Sequence, residues 1–199
     1  MAFWGTSKRE AWQQFCEENE ARYIDRGIWK GDRVEFDFEN ITIVLDTYTV
    51  STGKAIVTYT RIRAPFVNES GFKFRVYNAG PFSNMAKAMG AQDIETGDAG
   101  FDRAFMIKGN DERKVKELMS NERIKHLFLS QPRIDLHIND DEGVFGADFP
   151  EGTDQLYFVT VGVIKDIWRL KILFHLFGEI LIELTDMGIA GFKDPDIML

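Results

Sequence analysis

Along the 199 residues the hydrophobic positions change their period several times. Trp12, Phe15, Cys16, Tyr23 and Ile24 recur at helical spacing, behind a capping-box start of Ser7 with Glu10 three residues on. They predict a helix over 8–25 that stops before Gly27. From Arg33 the period is two. Val34, Phe36 and Phe38 alternate with Glu35, Asp37 and Glu39, as in a half-buried strand. Ile41, Ile43 and Leu45 open a second strand that ends near Val50. Ser51–Lys54 then supplies turn residues, and 55–64 returns as the other arm of a hairpin. Pro65 is expected to end that arm, and 72–77 alternates once more.

The second half adds helices. A short helix is expected over 83–89, and 101–107 resumes strand character. Asn110 is placed as an N-cap, with Asp111 and Glu112 where the helix dipole favours acids. Asn121 caps a second short helix carrying Ile124, Leu127 and Phe128, which Pro132 ends. Ile134, Leu136 and Ile138 mark a strand, 139–143 a turn and 156–163 another strand. A final helix spans 165–187, with Gly188 as its stop.

Strands do not alternate singly with helices, so a doubly wound parallel sheet is excluded. The order predicts an α+β fold with a mainly antiparallel, strongly bent sheet or small barrel. An N-terminal helix, an inserted helical pair and a long C-terminal helix complete it. No linker, repeat or low-complexity tract divides the chain. We therefore read 1–199 as a single domain: helix 8–25, strand-rich 33–77, strand and helical pair 101–131, strands 133–163, helix 165–187.

Charge narrows the function classes. There are 24 Lys and Arg against 32 Asp and Glu, a net charge of −8, which argues against a nucleic-acid binder. The lone Cys16 leaves no intramolecular disulfide and no cysteine-rich zinc site, and it fits a reducing compartment. No apolar segment follows the first basic residues, so no secretory signal is expected. The most apolar stretch, 164–184, contains Lys165, Asp166, Arg169, Lys171, His175, Glu179 and Glu183. Each charge at the centre of a membrane would cost ~2.5–3.5 kcal/mol. The expectation is a soluble, cytoplasmic protein with no transmembrane segment.

Motifs for chemistry are thin. Gly53-Lys54 fails the phosphate-loop pattern, because Tyr48 stands where a glycine is needed and Ala55 replaces the hydroxyl. The acidic stretches at Asp93, Glu95, Asp98 and Asp102 and at 139–143 lack calcium-loop spacing. His126, His137 and His175 have no helical zinc-pair spacing. Cys16, beside Glu17 and Glu18, lacks the electropositive setting of a reactive thiol. We assign no catalytic residue, no metal and no cofactor. An enzyme reading would need Asp98, Asp102, Asp135 and His137 to converge on one reacting atom.

Two surfaces stand out instead. With Ser51–Lys54 as the loop, Asp46 pairs with Tyr59, Val44 with Arg61 and Thr42 with Arg63. Tyr59, Arg61 and Arg63 then share a face, as do Lys73, Arg75 and Tyr77 on the next strand. Coinciding faces would make one basic patch for a phosphorylated ligand, a lipid headgroup or an acidic partner. Alternatively Glu35, Asp37, Glu39 and Asp46 neutralise those cations across neighbouring strands. The last helix is the second surface. Beyond its main apolar face it carries Trp168, Ile172, Leu176 and Ile182. These need cover from the first helix, from the tail 197–199, or from another subunit.

The run Thr96-Gly97-Asp98-Ala99-Gly100-Phe101-Asp102-Arg103-Ala104-Phe105-Met106-Ile107-Lys108-Gly109-Asn110-Asp111-Glu112 resembles a family of uncharacterised bacterial proteins. There a Thr-Gly-Asp…Phe-Asp…Phe strand leads into a helical pair, a further strand and a C-terminal amphipathic helix. The resemblance covers roughly the second half of the chain. Some relatives carry membrane segments nearby, which this sequence lacks. It implies a bacterial, cytosolic domain with no assigned activity, so it transfers no functional residue. The leading expectation is a binding or interaction module for an anionic ligand or a protein partner. An enzyme and a homodimer built on the last helix are the alternatives.

Overall fold

A computed structural model describes residues 6–27, 31–51, 53–80, 94–140, 149–191, 195 and 197. The expected helix over 83–89 and most of the turn at 139–143 lie outside them. The elements run α1 (Lys8–Asn19), β1 (Arg22–Ile24), β2 (Arg33–Phe38), β3 (Ile41–Ser51), β4 (Ile56–Val67) and β5 (Phe74–Asn78). They continue with α2 (Ala99–Ala104), β6 (Phe105–Gly109), α3 (Glu112–Leu118), α4 (Glu122–Leu129), β7 (Asp135–Asn139), β8 (Thr153–Val161) and α5 (Ile167–Asp186). The fold is α+β.

The eight strands form one antiparallel sheet in the order β1-β2-β3-β4-β8-β7-β5-β6. It stays open between the edge strands β1 and β6, so the barrel alternative is not the one adopted. Register organises the two faces. Tyr23, Val34, Leu45, Ile62, Phe158, Leu136, Val76 and Ile107 are consecutive partners across all eight strands. Seven of these eight are fully buried hydrophobics, and Tyr23 packs against the same cluster. Helices cover this face. α1 lies on one side of α5, where Phe15 meets Phe174 at 4.8 Å, and α4 lies on the other. Phe101, Phe105 and Phe128 tie α2, β6 and α4 together with ring centroids 4.9–5.9 Å apart. Each such ring pair adds ~0.5–1.5 kcal/mol beyond its area burial.

Several elements differ from the sequence reading, each for a local reason. Ser7 forms the capping box, but α1 ends at Asn19 because Glu20 turns left-handed at φ 56° and Tyr23 and Ile24 leave as an edge strand. The β3–β4 register is two residues off the expected one. Asp46 faces Arg61, and Val44 faces Arg63. A shift of two keeps every side chain on its expected face. β4 runs on through Pro65, which is paired with Gln155 of β8 after pairing with β3 has ended. A strand with one open side tolerates a residue that has no N–H. Residues 101–104, expected as the start of a strand, belong to the helix α2, because Asp98 accepts from the amides of Gly100 and Phe101. Asp111, not Asn110, caps α3; the Asn110 amide group bonds to the carbonyl of Gly71.

Candidate functional site

The second face of the sheet is polar, and register again defines it. Arg22, Glu35, Val44, Arg63, Tyr157, His137, Arg75 and Lys108 are consecutive partners from β1 to β6. Directly paired residues share a face, so Arg63 on β4 and Arg75 on β5 do point the same way. They are three strand spacings apart, ~14 Å, with β8 and β7 between them.

At the β3–β4 end, Asp46 receives Arg61 through Nε at 2.5 Å and Nη2 at 3.1 Å, and Arg63 through Nη2 at 2.8 Å. Asp46 and Arg63 are each only 2% exposed. Burial works against the Asp46 charge, but the hydrogen bond from Arg61 and the charge of Arg63 outweigh it and hold the carboxyl below its ordinary value. Tyr48 stacks on Tyr59 at 5.1 Å, and the Arg61 guanidinium lies 5.2 Å from the Tyr48 ring. Burial pushes the neighbouring Tyr157 phenol up. This end is a largely buried network in which one carboxylate answers two guanidinium groups.

At the β7–β5–β6 end, Arg75 grips Asp135 in a two-pronged pair at 2.8 and 2.5 Å. Nδ1 of His137 lies 3.4 Å from the same carboxylate, and its ring packs on Tyr157 at 5.1 Å. Burial of Asp135 is more than offset by His137 and Arg75, which bring its pKa down to about 2. Arg75 and Lys108 both approach the Tyr77 ring, at 5.1 and 6.0 Å. The Arg75 side chain is 50% exposed, and Lys108 is exposed. Lys108 makes no ion pair among the described residues, so this end holds two cations and one carboxylate.

The six residues expected to form one patch thus fall into three groups. Tyr59, Arg61 and Arg63 belong to the Asp46 network. Lys73 leaves the face and bonds to Asp154 at 2.5 Å, with Asp140 at 3.4 Å. Arg75 and Tyr77 keep company with Lys108. Of the four acids expected to neutralise the patch, only Asp46 does so. Glu35 and Asp37 pair with Arg22, and Glu35 also with Arg33. The sequence reading named Asp135 as a candidate acid but not as the partner of Arg75, and it did not foresee Asp154 or Lys108, although Lys108 directly follows the strand expected over 101–107.

The four residues of the enzyme reading do not converge. Asp98 caps α2 and reaches Lys125 of α4, in the helical layer. Asp102 accepts from the amides of Thr96 and Gly97 and from the Thr96 hydroxyl. Asp135 and His137 stand on the polar sheet face. Among the described residues no group of His, Cys, Asp and Glu could hold a metal ion. Burial raises the Cys16 thiol to about 11.

On α5, Leu176 is fully buried on the side where Arg169 bonds to Gln131, Arg123 to Glu179 and Asn121 to Glu183. Intramolecular cover therefore accounts for Leu176. Trp168 and Ile182 remain 70% and 41% exposed, and Ile172 lines a shallow groove against α4. A second groove of about 260 Å³ opens between α5, α1 and β2, lined by Phe36, Phe38, Gly178 and Ile182. Among the described residues no helix is long and apolar enough to cross a membrane. Comparison of the chain with protein-family models, curated proteins and solved structures gives no match in any of the three.

Proposed function

We propose that the chain is a binding module whose polar sheet face takes an anionic group, a carboxylate or phosphate on a small ligand or a partner, at Arg75, Tyr77 and Lys108. The observation that carries this reading is the register pair Arg75 and Lys108. Like charges directly opposite each other in a sheet destabilise it. Asp135 pairs with Arg75 and not with Lys108, so an anion between the two cations relieves what the fold leaves uncompensated. The Asp46 cluster, though richer in arginine, is largely buried and already has its carboxylate. It is the foundation of the face rather than its mouth.

The probe is inorganic phosphate, titrated at fixed ionic strength and followed by amide NMR. Saturable shifts at Arg75, Tyr77 and Lys108 are expected. Lys108→Glu puts a carboxylate opposite Arg75, so the fold is kept or slightly stabilised while phosphate affinity falls about tenfold, ~1.4 kcal/mol. Silent amides at these positions, or equal binding by the variant, would overturn the reading.

A further inference from the structure

We infer that α5 pairs with α5 of a second copy of this chain, antiparallel, about a two-fold axis at His175. The outward stripe of the helix is self-complementary about His175. Trp168 lies seven residues before His175 and Ile182 seven after; Lys171 lies four before and Glu179 four after. Residues seven or four apart on a helix share a face, and both apolar ends are exposed. A two-fold interface requires one patch to complement itself. Antiparallel pairing centred on His175 meets that condition. It brings Trp168 of one copy to Ile182 of the other, and Lys171 of one to Glu179 of the other.

The groove beside Ile182 gives the tryptophan a seat. It is floored by Phe36, Phe38 and Gly178, where a Cβ would approach the Phe38 ring to 3.1 Å. Tryptophan is among the side chains enriched as interface anchors. Lys171 and Glu179 already have partners of their own, Glu18 at 2.8 Å and Arg123 at 2.8 Å. Their cross-pairing therefore fixes direction and register more than affinity. One helix face buries less than the ~1,200 Å² of a standard interface, so the dimer forms in the micromolar range and exchanges freely.

Sedimentation velocity from 5 to 500 µM tests the association. A monomer–dimer equilibrium is expected, and Trp168→Glu abolishes it without moving the thermal midpoint measured at a concentration where the wild type is monomeric, because the ring is solvent-exposed there. Cysteine cross-linking tests the geometry. His175→Cys, at the axis, meets itself and forms a dimer disulfide under mild oxidation. Asp186→Cys, eleven residues from the axis, stands ~33 Å from its counterpart and stays monomeric on a non-reducing gel. A monomer at every concentration overturns the inference, and so does a dimer in which Asp186→Cys cross-links and His175→Cys does not. The phosphate titration does not depend on either result.

Discussion

Arg63 reaches Asp46 at 2.8 Å in the interior of the polar face, and neither residue is more than 2% exposed. Arg61 shares the same carboxylate from the neighbouring position on that face. Two guanidinium groups thus depend on one acid that water scarcely reaches. Removing one member of a buried pair is far costlier than never having built it, since a charge is left uncompensated. Asp46→Asn is therefore expected to lower unfolding stability by ~3–5 kcal/mol, read from chemical denaturation. A loss under about 1 kcal/mol, the surface-pair range, would mean that solvent screens the cluster.

Asp135 makes a pH-dependent contribution. Its pKa lies near 2 in the folded protein, against ~3.9 for an unfolded aspartate. A depressed carboxyl stabilises fully above the unfolded value, and the benefit disappears as pH falls through the folded one. The stability difference between wild type and Asp135→Asn should be flat above about pH 5 and shrink between about pH 4 and 2. Taking the difference removes the parallel acid response of Asp46, which both proteins keep. A difference independent of pH over that window would show that the Arg75 pair contributes nothing.

Alternation along the strands made the two faces of the sheet legible, and a hairpin register wrong by two left the assignment of faces intact. Partners on the polar face were not legible. Arg75 finds Asp135 60 positions away and Lys73 finds Asp154 81 away, because β7 and β8 enter the sheet between β4 and β5. No local period encodes that order. The same holds at 101–104, where two amides captured by Asp98 decide for helix in a stretch read as the start of a strand. Trp168 and Ile182 were visible as surplus apolar positions, whereas the burial of Leu176 depended on where α4 docks.

Gly109 ends β6 where the backbone passes close to α3. A Cβ there would stand 2.5 Å from Cγ2 of Val115 and 3.1 Å from the Lys73 carbonyl, which is fixed by the Asn110 amide at 3.2 Å. Val115 is fully buried, and its branched side chain has few alternative rotamers. Gly109→Ala should cost ~1–3 kcal/mol, the range for overpacking. Adding Val115→Ala should return part of it, so that the double variant loses less than the sum of the singles. Strict additivity in thermal or urea unfolding would rule out the steric cause.

Trp12 closes a link between the two ends of the sequence. Its indole Nε1 donates to the Ile164 carbonyl at 3.0 Å, across 152 positions and inside the core. The Ile164 amide donates to the Thr60 hydroxyl at 3.0 Å, and that hydroxyl donates to the Gly162 carbonyl at 2.7 Å. The segment between β8 and α5 is therefore held by this indole and this hydroxyl together with the Gly162 amide, which donates to the Thr58 carbonyl at 2.8 Å. Trp12→Phe keeps an aromatic ring but strands a buried carbonyl, at ~1–3 kcal/mol before any cavity cost. Thr60→Val keeps the volume and strands both the Ile164 amide and the Gly162 carbonyl, so a loss of similar size follows. The two changes act on one segment, so amide hydrogen exchange should rise at Ile164 and in the first turn of α5 in both variants, while the β2–β3 pairing stays protected. Uniform loss of protection across the sheet would instead mean that Trp12 acts only through its bulk in the core.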